Sequence, residues 1–507
     1  MINILLPIIL SIITFIFSWN PGIQPEKITN RWFPDPEVDI RTPAFNKSKG
    51  FTQYAEMLEF IQKIQSEHPE VMRIEWLGNS QKGKQIPLIR IKTNPKASLK
   101  VWLQGGLHGD EPASTEGLLY LLTQIFEPEN ADLLNHFDWA IVPIANIDGS
   151  EKQNRYAANG LDLNRDQTKL MIQESVQLKK ALCSFEPDLA LDFHEFRPYR
   201  MDFLEMGKAG LGSAYDLMIL NSSNLNVPQN QREITQKYFV DPLKKELSEL
   251  QYRTHDYYSP RTDLDNLYLN QGSSSARSSA TNFALTGAIA TLFEVRGVGL
   301  GRTSLKRRTH ITYLCAMSYL KSAMKFTNQV LDVLNNPTHS DKVIIGTTSK
   351  RFNQSILMVD LHSKDTMSIV LPTKDAKSMK IKEARKMPAY YLVHPNAVEI
   401  LERLNWFQLK CDTIISPETI SVEQFSQINA CNVASTEYEG VFRQNCNYQT
   451  ETQSIMFPKG TLKFPVNQRK GRILLELLEP DASNSLISFH VIDAQKYPVL
   501  PYYRQLN

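Results

Sequence analysis

Gly105-Gly106-Leu107-His108-Gly109-Asp110-Glu111-Pro112 stands between two stretches of different hydrophobic period. The run before it, Leu99-Lys100-Val101-Trp102-Leu103, predicts a buried strand, and residues 113–126 after it predict a helix. Proline at a first helical position with glycine ahead of it fits a strand–loop–helix corner. His108 and Glu111 lie three apart on that corner. An imidazole nitrogen and a carboxylate oxygen can therefore converge on one ion, and this is a common ligand pair for zinc. A solvated turn would carry the same residues, so the remainder of the chain has to decide.

Further along, Trp139-Ala140-Ile141-Val142-Pro143-Ile144 predicts a second buried strand, running into a turn, Ala145-Asn146-Ile147-Asp148-Gly149. Asp188-Leu189-Ala190-Leu191-Asp192-Phe193-His194 predicts a third, ending on a histidine. Residues 288–297 predict another apolar strand, with Glu294 inside it. An acid among apolar neighbours costs energy unless paired or used, so Glu294 points to function rather than to a solvated sheet edge. Residues 52–66, 170–185 and 304–334 predict helices, and residues 71–77 with 86–91 a hairpin. Residues 207–277 read as loop-rich, with a helix near 240–251. Helices alternating with apolar strands predict an α/β fold: a mixed, largely parallel sheet covered by helices. Sites in such sheets lie at the carboxyl ends of strands, which groups His108, the Asn146 turn and His194.

The chain has 507 residues, 42% hydrophobic and 22% charged, enough for two or three globular domains. A net charge of +2 with interspersed signs excludes a phosphate-tracking surface, so no nucleic-acid partner is expected. Residues 2–17 are almost wholly apolar and suit a signal peptide core, assigned to residues 1–20, with an uncleaved anchor as the alternative. Residues 21–49 read as an extended lead-in, 50–334 as the first domain and 335–342 as a linker. Residues 342–507 read as a smaller, strand-rich C-terminal domain, clearest over 458–480, with a helix at 395–405. Lid, substrate platform and packing partner all fit that domain. Five cysteines are too few for a disulfide scaffold; Cys431 and Cys446 either pair, if the chain is exported, or stay buried free thiols.

Residues 50–330 resemble the zinc carboxypeptidase family, the carboxypeptidase A-like metallopeptidases, by motifs in the family's order. These are His108-Gly109-Asp110-Glu111, Asn146-Ile147-Asp148-Gly149, Asp162-Leu163-Asn164-Arg165, strand-terminal His194, and Phe293-Glu294-Val295-Arg296. The resemblance implies that His108, Glu111 and His194 bind one Zn2+ per chain and leave a position for water. It implies Glu294 as general base and Arg155 as the group facing the scissile carbonyl. It also implies Asn164 and Arg165 as the holders of a peptide's free terminal carboxylate, and Asp162 as the acid that orients the first histidine. The bland alternatives are a solvated loop arginine for Arg155, a helix-capping or Asp166-paired Arg165, and a helix-capping Asp162.

The sequence departs from the family's pattern at Ile147, where proline is usual, and at Glu195-Phe196, where Ser-x or Ser-Tyr is usual. Tyr268 is the nearest match for the substrate-covering tyrosine. Arg277, near where the family sets side-chain preference, would favour an acidic terminal residue if it points into the pocket. The function implied is an exported zinc metallocarboxypeptidase, periplasmic or secreted. No stable membrane contact is implied unless the N-terminal segment stays uncleaved. A zinc N-acyl amino acid deacylase of related fold and an inactive peptidase-like binding protein are the rivals.

Overall fold

The computed structural model describes residues 24–263, 266–497 and 499–506. The strands of its first part are β1 (Met72–Asn79), β2 (Gln85–Ile91), β3 (Leu99–Gln104), β4 (Phe137–Val142), β5 (Leu189–Phe196), β6 (Leu211–Ser213), β7 (Leu217–Asn221), β8 (Thr254–Asp256), β9 (Tyr258–Asp263), β10 (Asn266–Gln271) and β11 (Ile289–Arg296). Eight of them form one sheet in the order β1-β2-β4-β3-β5-β11-β7-β8. Its centre, β4-β3-β5-β11, is parallel, and β1, β2 and β7 run antiparallel to their inner neighbours. β5 is buried along its whole length, as a strand covered on both faces must be. The helix Pro112–Gln124 packs on β5 and on Leu305–Lys325, and Ser279–Leu285 packs on β5 and β11. Trp102 and Trp139 sit fully buried in the resulting core.

β13 (Arg351–Asp360) and β14 (Thr366–Asp375) follow a short β12 (Lys342–Thr348). They form a hairpin that enters a second sheet, ordered β6-β13-β14-β10-β9. β14 pairs in parallel with β10, and β13 pairs with β6. Residues 342–507 therefore do not stand apart from the first unit: their first hairpin completes a sheet begun by residues 211–271. Unpaired edges of β6 and β10 gain hydrogen bonds this way. The remainder supplies a six-stranded antiparallel sheet containing Tyr390–Val393, Glu418–Gln427, Tyr448–Phe457, Leu462–Pro465 and Val499–Gln505.

Four expectations need correction. The 21–49 lead-in is not simply extended: it opens with a helix, Glu26–Trp32, whose Ile28 and the following Phe33 bury against Tyr199, Leu300 and Val359. Residues 304–334 make two helices, Leu305–Lys325 and Thr327–Asn335, meeting at Phe326. Within 458–480, Ile473–Leu478 belongs to a helix, Arg472–Leu478, with every residue of that stretch buried. A short apolar run has the same period as a buried strand, so hydrophobicity does not distinguish them. Residues 207–277 hold five strands, β6 to β10, rather than mainly loop. Residues 1–20 lie outside the described residues; among those described, no helix is long and apolar enough to cross a membrane.

Candidate metal centre and cleft

The loop after β3 is shaped by close backbone approach. Gly106 adopts a positive φ of 60°, and its N–H donates to Ser114 Oγ (2.9 Å), which in turn donates to the Glu111 carbonyl (2.6 Å). Gly109 lies directly on the loop that follows β4. A Cβ there would come closer than 3.0 Å to backbone atoms of Gly149, Ser150 and Asn154. Gly149 is equally tight, its virtual Cβ 2.7 Å from the carbonyls of Asn154 and Tyr156. Two motifs 38 positions apart by number, His108-Gly109-Asp110-Glu111 and Asn146-Ile147-Asp148-Gly149, are thus two faces of one contact. Asn146 Oδ1 accepts from Gly149 N–H (3.0 Å), and its Nδ2 donates to the Arg155 carbonyl (3.3 Å). Asp148 accepts from Ser80 Oγ (2.9 Å) and Lys82 N–H (3.0 Å), tying in the β1–β2 turn.

This loop brings His108 and Glu111 to the end of β5, where His194 waits. His108 Nδ1 lies 2.7 Å from Glu111 Oε1, His194 Nδ1 lies 2.7 Å from Glu111 Oε2, and the two Nδ1 atoms are 3.0 Å apart. All three side chains are buried, and their donor atoms lie within 4.8 Å of one another. Each imidazole also bonds a carboxylate through its far nitrogen: His108 Nε2 to Asp162 Oδ1 (3.0 Å), His194 Nε2 to Asp192 Oδ2 (2.8 Å). Those bonds fix the rings with both Nδ1 atoms facing inward. Two inward nitrogens and a carboxylate fit a divalent cation of the zinc type, and the outer carboxylates are the usual support for such histidines. Asp192 went unnoticed in the sequence, although its place two residues before His194 on a strand puts both on one face.

The electrostatics follow from this crowding. Burial opposes ionisation of Glu111, but His108 and His194 outweigh it and pull its carboxyl below the usual range. Burial likewise opposes charge on His194, yet Asp192 and Glu111 hold its proton affinity well above the ordinary value. Asp162, despite burial, is held well below its range by His108, then by Arg155 and Arg165. Glu294 behaves oppositely: burial, then the Glu111 carboxylate, push it up to about 7. It sits on the central strand β11, in register with His194 of β5.

A cleft of about 620 Å3 opens over these residues, lined by His108, Arg155, Asn164, Arg165, Arg277 and Glu294 among others. Arg155 is anchored by Asp162 Oδ2 (Nε 3.1 Å, Nη2 2.8 Å), with Nη1 3.6 Å from Glu111 Oε1. Asn164 accepts the Ser279 N–H (2.8 Å), and Arg165 donates to the Asn164 carbonyl (2.8 Å). Glu195, buried, accepts from Arg308 (2.7 Å) and the Ala113 N–H (3.0 Å), so it buttresses the metal loop.

Glu111, His194 and Asp162 lie outside the cleft lining, but each of those three touches cleft-lining His108; Tyr268 is outside it too. It lies one pleat repeat beyond cleft-lining Asn270 on β10, and the Arg351 guanidinium covers its ring at 4.7 Å. Tyr257, at the bend between β8 and β9, lines the cleft instead. Its hydroxyl proton is held more tightly by burial, then by Glu294. Cys431 and Cys446 are disulfide-bonded.

Residues 57–184 match the family model described as zinc carboxypeptidase. The chain is 26% identical to Carboxypeptidase 2 of Trichophyton rubrum over 500 residues, 91% of its own length and 90% of the relative's. It is likewise 26% identical to Carboxypeptidase 2 of Trichophyton equinum, over 83% of this chain and 81% of that one. A metallo-carboxypeptidase from Burkholderia cenocepacia aligns at a TM-score of 0.42 and 18% identity, over 54% of this chain and 70% of the other.

Proposed function

Taking as premise that this chain carries a zinc carboxypeptidase domain and is a metallocarboxypeptidase, we propose that it removes the last residue of peptides bearing a free terminal carboxylate. The observation that carries the reading is the convergence of His108, Glu111 and His194 within 4.8 Å, beside Glu294 and under Arg155 and Arg165. His108, Glu111 and His194 would hold the zinc ion. Zinc bound there supplies Lewis acidity that makes water a usable nucleophile at neutral pH.

The remaining work belongs to the chain's own side chains. Arg165, whose planar fork suits a carboxylate, and Asn164 hold the substrate's terminus and so place the last amide over Glu294. Glu294 takes a proton from the attacking water and delivers it to the leaving nitrogen. Arg155, kept in place by Asp162, stabilises the charge that develops on the carbonyl oxygen. Asp162 and Asp192 hold the imidazoles in their inward-facing tautomers. Tyr257 closes the cleft wall beside the reacting bond.

Residues 50–334 provide the catalytic groups, and residues 342–507 brace the cleft. The Cys431–Cys446 disulfide supports export, since such bonds persist in oxidising compartments. The apolar residues 2–17 support it too. The deacylase and inactive-scaffold readings are not favoured by a likeness to carboxypeptidases that runs nearly end to end. Glu294→Gln tests the proposal. It should lower kcat by roughly 10²–10⁴-fold while the zinc content stays at one ion per chain. A variant with full activity places the base elsewhere.

A further inference from the structure

Resting on the carboxypeptidase reading above, we propose that Glu439, at the tip of the disulfide-closed hairpin of residues 431–446, is a positioning residue for the reaction: it fixes Asp162 and, through it, His108 and Arg155. The hairpin is a defined element. Asn432–Val433 pairs antiparallel with Gln444–Asn445, and the Cys431–Cys446 bond closes its base. Gln444 Nε2 donates to the Ile487 and Ile492 carbonyls (3.1 and 2.9 Å), and Arg443 to Ser488 Oγ (2.8 Å), which ties that base to the C-terminal part. At the tip, Tyr438 and Val441 exchange backbone hydrogen bonds (2.8 and 3.2 Å) around Glu439 and Gly440.

Three successive residues seat this tip on the first unit. The Tyr438 ring lies 4.9 Å from the Arg277 guanidinium. Glu439 Oε2 accepts the backbone N–H of Asp162 (2.9 Å). A Cβ at Gly440 would stand 3.2 Å from the Leu161 side chain and 3.6 Å from that of Met171, so the turn packs against the chain on both sides of Asp162. Asp162 in turn serves three partners. Its Oδ1 faces His108 Nε2 (3.0 Å) and accepts the Asn164 N–H (2.7 Å), while Oδ2 accepts from Arg155 (2.8 Å). Bonding the Asp162 N–H fixes the peptide from which that carboxylate projects, and so where both oxygens point. Asp162 is buried, and an N–H left there without its acceptor is costly.

The backbone of the tip is the second observation. A two-residue hairpin turn with positive φ at both central positions favours glycine, asparagine and aspartate. Here those positions are Glu439, at φ 51°, and Gly440, at φ 77°. Glycine takes such a φ freely, whereas the Cβ of glutamate crowds its own carbonyl. Glutamate therefore sits against its backbone preference, and its extra methylene carries a carboxylate oxygen to the Asp162 N–H. Strain held at one residue, whose side chain ends on the support of a metal ligand, points to function rather than to folding.

The test titrates zinc into the metal-free full chain and follows peptide cleavage by the zinc-loaded chain, for the wild type, Glu439→Asn and Glu439→Gln. Asparagine relieves the backbone but stops one methylene short. Glu439→Asn should therefore keep its far-UV circular dichroism while zinc affinity and kcat each fall by about 10-fold, the lower end of what losing support around a metal ligand does. Glutamine reaches as far and presents an amide oxygen to the same N–H, so Glu439→Gln should stay close to the wild type in both. If Glu439→Asn fails to fold, Glu439→Asp, equally short, takes its place. A folded short variant with wild-type zinc affinity and kcat overturns the inference, as does a Glu439→Gln chain that falls as far as the short variant. Both results leave the carboxypeptidase reading standing. A wild-type chain that takes up zinc yet cleaves no peptide overturns that reading and this inference with it.

Discussion

Replacing Gly109 by alanine adds one methyl group, yet the structure makes it a test of the whole metal loop. The new carbon would fall inside 3.0 Å of the Gly149 carbonyl carbon, Ser150 N and Asn154 O, while ordinary contact begins at 3.4 Å. All three neighbours are backbone, so no flexible side-chain end can swing aside. One loop must retreat by on the order of 1 Å, at an overpacking cost of about 1–3 kcal/mol. If the first loop moves, His108 and Glu111 leave a donor set in which metal bonds tolerate about 0.2 Å. If the second moves, Asn146 releases the Arg155 carbonyl. Zinc affinity should fall by at least the roughly 10–100-fold seen when support around a metal is disturbed. Competition against a chromogenic chelator measures that affinity, with far-UV circular dichroism confirming the fold. A folded Gly109→Ala protein with wild-type zinc affinity and wild-type kcat/KM would refute the reasoning.

The remaining predictions concern the groups around that centre. Arg165→Ala should raise KM for peptides with a free carboxylate by about 10–100-fold, as loss of a charged hydrogen bond does, and barely change cleavage of amidated ones. Equal effects in steady-state assays would remove its anchoring role. Asp192→Asn leaves His194 in place but weakens its orientation, so zinc titration should show about 10–100-fold lower affinity. Unchanged affinity would mean that the His194–Asp192 bond is dispensable. The pH profile has a defined sign. Glu294 acts only when ionised, and burial with Glu111 raises its carboxyl to about 7 in the metal-free protein. A cation beside it favours the ionised form. The acid limb of kcat/KM for the zinc-loaded enzyme should therefore lie below 7, with activity lost as pH falls through it; a limb above 7 would contradict this.

What was readable in the chain was what repeats or what is chemically costly. β3, β5 and β11 announced themselves as apolar runs, and Glu294 stood out because an acid there needs a reason. The glycines of two separated motifs were visible, but not that they pack against each other, since nothing local encodes a contact across that distance. Tyr257 was hidden for a related cause. It lies at a bend between short strands, and β8 spans only three residues, too few to show a period. Tyr268 is the nearest match to the family's substrate-covering tyrosine in the sequence, and nothing local shows which of the two tyrosines lines the cleft. Helix Arg472–Leu478 was misread because burial on all sides erases the amphipathic signature.

The β13–β14 hairpin carries a practical consequence. The connection at residues 335–341 is mostly exposed and offers a protease an accessible site. Yet the piece after it holds two of the five strands in the sheet shared with β6, β9 and β10. A nick there should leave fragments that migrate apart in denaturing gels and travel together on a sizing column. A gene truncated at the same point should yield insoluble protein with bare strand edges. The two halves are then one folding unit read from a single message, interchangeable with no free-standing peptidase core.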